Sequence, residues 1–138
     1  MLYSPRMSAS DSTSTCSRQI HPRAYDGILF FNRCEFFEAH EALEEAWKED
    51  ETEARDLYRG ILQIAVTYVY ITRGNYSGAT KVYQRSQKWL AKWPDMCQGV
   101  NIKQLLEDAQ LVMEEIERLG AERIAEFDVS LFRPILYN

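Results

Sequence analysis

Six residues of this chain are of types, and at spacings, that can do chemistry. Four of them, His40, Glu41, Glu44 and Trp47, lie in the run Phe36-Phe37-Glu38-Ala39-His40-Glu41-Ala42-Leu43-Glu44-Glu45-Ala46-Trp47, and Arg59 and Gln63 follow further on. At about 100° per residue, a helix places Phe36, His40, Leu43 and Trp47 on one narrow face, with Glu44 one turn beyond His40 and about 40° off that face. This is the stripe a helix buries, so an imidazole and a carboxylate are carried toward an interior where unpaired charge is costly. Glu41, about 100° from His40, falls at the rim of the face, whereas Glu38 and Glu45 point to solvent. An imidazole whose tautomer is fixed by a carboxylate can act as a general acid or base. The same i, i+4 spacing of His40 and Glu44 is used for two-ligand metal capture.

Neither chemistry is completed by the sequence. A zinc site takes at least three protein ligands in a tetrahedral set. The only other histidine is His21, so the remaining donors would be carboxylates or Gln63. A carboxylate-bridged di-iron site needs Glu-x-x-His on two helices, and position 37 is Phe. The expectation is therefore no cofactor and no metal, with a divalent ion on His40 and Glu44 as the minor alternative. No motif places a Ser, Thr or Cys nucleophile and no Gly-rich phosphate loop occurs, so no catalytic residue and no reaction type are assigned.

The elements that must hold these side chains are helical throughout. Hydrophobic periodicity and punctuation by Pro22, Asn32-Arg33, Gly74-Asn75, Pro94, Gly99 and Gly120 predict helices over about 22–32, 35–48, 53–72, 76–93 and 101–119. No alternating run of strand length occurs, so the fold class is all-α: a compact bundle of about five helices, mostly antiparallel. The third helix carries Leu57, Ile61, Ile64, Ala65, Tyr68 and Thr72 on one face and Arg59, Gln63, Val66 and Tyr70 on the other. A helix apolar around most of its circumference is a central element, and its rear face is expected to meet a neighbour. If the second and third helices are antiparallel, His40, Glu44, Arg59 and Gln63 face one another. Such a cluster is either the lining of a ligand pocket or a satisfied buried network.

With 138 residues, 46% hydrophobic and 27% charged, the chain fits one domain. Residues 1–20 hold six serines, two threonines and a single acidic residue, and read as a disordered tail outside the fold. A helical-bundle domain follows over 21–120, and the apolar extension 121–138 is expected to pack on it. Cys16, Cys34 and Cys97 form no even set and no C-x-x-C spacing, and read as reduced thiols. Net charge of −5 argues against nucleic acid as a partner. No run of about eighteen apolar residues would cross a membrane. The expected location is cytoplasmic, with organellar import the minor alternative because the N-terminus is Ser-rich and acid-poor. Lys81, Arg85, Lys88 and Lys92 make a basic stripe on the fourth helix, read first as a solvated face.

Phe31-Asn32, the run 36–47, Arg59-Gly60-Ile61-Leu62-Gln63-Ile64-Ala65 and Gly74-Asn75-Tyr76-Ser77-Gly78-Ala79 together resemble the prokaryotic family of domain of unknown function 309, over roughly residues 22–119. The resemblance implies a helical bundle with His40, Glu41, Glu44, Trp47, Arg59 and Gln63 gathered near the second and third helices, and no function. Gln98-Gly99-Val100-Asn101 departs from that pattern. Gly74-Asn75-Tyr76, Ala79, Tyr83 and Ser86 are similar to one tetratricopeptide hairpin, and a solenoid would require several copies. The leading functional expectation is a cluster that binds a small polar ligand. The alternatives are a protein-interaction or self-associating module with a purely structural cluster, and a metal-dependent hydrolase.

Overall fold

The computed structural model describes residues 14–138. The part of the predicted tail over 1–13 lies outside the described residues. The elements are α1 (Pro22–Asn32), α2 (Phe36–Glu49), α3 (Ala54–Thr72), α4 (Tyr76–Leu90), a hairpin of β1 (Met96–Cys97) and β2 (Val100–Asn101), then α5 (Ile102–Arg123) and two 3-10 turns at Ile124–Glu126 and Val129–Leu131. The architecture is an all-α bundle.

Local chemistry sets most boundaries. Pro22 occupies the first turn of α1, where a missing N–H costs nothing, and the His21 ring Nδ1 accepts from the Arg23 amide at 3.0 Å. Gly74 adopts φ 73° just past α3, the left-handed stop that a helix end requires. Asn75 then caps α4 by accepting from the Gly78 amide at 2.8 Å. The predicted fourth helix ends three residues early, at Leu90. Beyond it Gln98 (φ 50°) and Gly99 (φ 85°) form a two-residue hairpin turn of the kind that needs positive φ at both positions. A Cβ on Gly99 would come within 2.7 Å of the Tyr137 ring. Gly120 (φ 76°) breaks α5 at the predicted stop.

Successive helices pack as antiparallel neighbours, α1 on α2, α2 on α3 and α3 on α4. Gly60 lets α4 approach closely, since a Cβ there would fall 2.6 Å from Leu90. The front face of α3 supplies the centre of the core, with Leu57, Tyr58, Ile61, Ile64, Ala65 and Tyr68 all buried. Phe132 of the C-terminal extension stacks on Tyr68 at 4.5 Å and meets Phe36 at 5.0 Å, so this segment closes the bundle. The rear face of α3 does not follow expectation. Arg59, Gln63, Val66 and Tyr70 stay half-buried, flanked by α2 and α4 and covered by neither.

Two further expectations are corrected. Residues 14–20 belong to the fold: Thr15 and Ile20 are buried, and Gln98 fixes the segment through its amide to the Cys16 carbonyl (2.8 Å) and its side-chain Nε2 to the Thr15 carbonyl (3.0 Å). Cys16 and Cys97 are joined in a disulfide, leaving only Cys34, exposed, as a free thiol among the described residues. Composition alone made this segment a tail, because the partners that order it lie some eighty residues away.

Candidate functional site

The groove over the rear face of α3 is where the predicted site residues lie. Its register is fixed at two places. Trp47 of α2 meets Arg59 of α3, ring to guanidinium, at 4.9 Å, and Phe37 meets Arg73 at 5.8 Å. On the other side Arg59 also lies over Trp89 of α4 at 4.5 Å. The guanidinium is thus held between two indole faces, whose quadrupoles stabilise the cation without using its N–H donors. Arg59 is half-buried and, among the described residues, forms no ion pair.

The network expected from the sequence is not formed. Glu44 pairs with Lys48, one turn along its own helix, at 3.8 Å. His40 is half-buried against the Phe37 ring at 5.6 Å, and Glu41 is exposed. The His40 Nδ1 and Gln63 Oε1 atoms are buried and have no hydrogen-bond partner. Buried polar groups are nearly always satisfied, so these two orphans leave bonding capacity unused. Among the described residues no group of three His, Cys, Asp or Glu side chains converges to hold a metal ion.

The basic stripe lies on α4, the helix that also supplies Trp89. Lys92 pairs with Asp56 at 2.6 Å and lies 5.2 Å from the Trp93 ring, and Lys88 lies 4.8 Å from the Trp89 ring. Lys81, Arg85 and Lys88 are exposed and, among the described residues, have no carboxylate partner. This exposed face of α4 is therefore cationic in a protein that is acidic overall.

Sequence reasoning missed Trp89 as the second wall around Arg59. It also missed the lock at the same, N-terminal end of α3. There the buried Tyr58 hydroxyl accepts from the His21 amide at 2.9 Å and donates to Gln98 Oε1 at 2.6 Å. Burial pushes the Tyr58 phenol up to about 12.

Comparison with known proteins places the chain among uncharacterised relatives. It is 36% identical over 107 residues to the uncharacterised protein YpuF of Bacillus subtilis (strain 168), an alignment covering 74% of this chain and 62% of that protein. It is 29% identical over 97 residues to an uncharacterised protein of Aquifex aeolicus (strain VF5), covering 68% of this chain and 27% of the relative. The chain thus spans less than two thirds of either. No solved structure matches. Residues 25–82, from α1 into α4, match one family model, that of the family described as Domain of unknown function (DUF309).

Proposed function

We propose that the α2/α3/α4 groove binds a small polar ligand through a carboxylate, with Arg59 as the anchor and His40, Glu44, Gln63, Trp47 and the rim residue Glu41 around it. The observation that carries this reading is the guanidinium held between Trp47 and Trp89 with no acidic partner. A guanidinium orders five N–H donors in a planar fork that matches a carboxylate, and indole walls keep it oriented before the ligand arrives. Gln63 and His40 each carry a polar atom without a hydrogen-bond partner, which supports a polar surrounding for the ligand. Arg85 and Lys88 add attraction for an anion.

Succinate is a suitable probe, titrated calorimetrically against the wild type, Arg59→Lys and Arg59→Ala. Saturable binding by the wild type is expected, with a loss of about 1.5–3 kcal/mol in Arg59→Ala, the range for hydrogen bonds to charged groups. Arg59→Lys should recover less than half of it, because the charge returns without the fork. Equal binding by all three proteins would defeat the proposal.

The Cys16–Cys97 disulfide bears on location. Such bonds persist where thiols are not held reduced, which supports an oxidising compartment over the cytoplasm. No helix among the described residues is long and apolar enough to cross a membrane.

A further inference from the structure

A further cleft lies between the first half of α5 and the C-terminal extension. Asp108 of α5 is only 5% exposed, the one acidic residue among the buried polar side chains of the described residues. Its single hydrogen bond comes from Gln104 Nε2, one turn earlier, to Oδ1 at 2.9 Å. Among the described residues no Lys, Arg or His forms an ion pair with it. A carboxylate taken this far out of water is costly without a cation, and one neutral amide does not offset that cost.

The carboxylate is accessible from one side. Asp108 lines an open cleft of about 490 Å³ together with Gln104, Ser130, Arg133, Pro134 and Leu136, a size that admits a small molecule. Arg133 is exposed at the cleft and, among the described residues, has no carboxylate partner, Asp108 included. On the inner side of Asp108 the Tyr68 hydroxyl is buried without a hydrogen-bond partner. Burial first, and then the charge of Asp108, hold that phenol above its usual range. The cleft therefore presents an anion in its floor, a cation at its rim, an apolar wall of Pro134 and Leu136, and no internal pairing between the two charges.

We propose that this cleft binds a free α-amino acid, its ammonium on Asp108 and its carboxylate on Arg133, with an aliphatic side chain against Pro134 and Leu136. A zwitterion supplies both missing counter-charges in one molecule. A simple amine or a simple acid leaves one of them unmet. The site is separate from the Arg59 groove and shares no residue with it.

The probes are L-leucine, N-acetyl-L-leucine, which lacks the ammonium, and L-leucinamide, which lacks the carboxylate, each titrated calorimetrically against the full chain. L-Leucine should bind at one equivalent, and each derivative should bind at least about tenfold more weakly, as expected for loss of one partner of a desolvated charge pair. Asp108→Asn should abolish discrimination against the acetylated probe, and Arg133→Gln discrimination against the amide. No heat from L-leucine up to about 10 mM, where even a millimolar site would be saturated, overturns the proposal. So does equal binding of the acetylated probe. Loss of L-leucine binding in Arg59→Ala but not in Arg133→Gln would place the amino acid in the other groove and equally overturn it.

Discussion

Reduction of the Cys16–Cys97 bond is the perturbation whose consequence is worked most directly from the structure. The bond joins residues separated by 81 positions and ties the 14–20 segment to the β1–β2 hairpin. In the chain-entropy account, a closed loop of this length removes enough freedom from the unfolded chain to contribute about 4.5 kcal/mol at 25 °C. Over 138 residues the unfolding entropy is about 2.1 cal/mol/K per residue, so its loss should lower Tm by about 15 °C. The assay is calorimetry on a Cys34→Ser background, with and without a dithiol reductant and with thiols counted in each sample, alongside a Cys16→Ser/Cys97→Ser variant. The variant should match the reduced protein. A fall of less than about 5 °C with both thiols titrating would refute the reasoning, because it would mean that the cross-link scarcely constrains the unfolded chain. Protein purified in air with Cys16 and Cys97 both free would remove its premise.

Two further outcomes follow from individual groups. His40→Ala should cost less than about 1 kcal/mol in urea denaturation, because Glu44 is paired with Lys48 and no network is broken; a loss of several kcal/mol would mean His40 holds α2 to α3. Tyr58→Phe should cost about 1–3 kcal/mol by stranding the His21 amide and Gln98 Oε1. The same variant should change the alkaline limb of the stability curve. The Tyr58 phenol is pushed up from 10.0 to about 12 in the folded protein, so between those values the native state holds a proton that the unfolded chain has lost. Stability is therefore full below about 10 and declines as pH rises toward about 12. Tyr58→Phe should flatten part of that decline, Tyr68 and Tyr83 retaining the rest because burial raises them too; an unchanged slope would refute the assignment.

The helices were legible because their signals are local. Apolar spacing, Pro22, Gly74, Asn75 and Gly120 act within one or two turns, and the observed boundaries follow them closely except at the end of α4. The candidate site was legible only in part. Trp47 and Arg59, both candidates from the sequence, stand on neighbouring helices and meet ring to guanidinium. The partners themselves were misread. Glu44 takes the i, i+4 lysine on its own helix, a pairing visible in the sequence but passed over in favour of a longer-range one. Arg59 takes two tryptophans in place of a carboxylate.

What the amino-acid order determines alone is the set of helices, their stops and their apolar faces, since these depend on residues a few positions apart. The tertiary structure decided the rest. Whether the rear face of α3 is covered depends on where α2 and α4 lie beside it, and they flank it without closing over it. The Cys16–Cys97 bond and the Tyr58–Gln98 lock join segments that only folding brings together, and Asp108 and Arg133 come to line one cleft in the same way. A buried charge or an unpaired guanidinium becomes evident only when every neighbour is in place, because desolvation and pairing are properties of the packed chain.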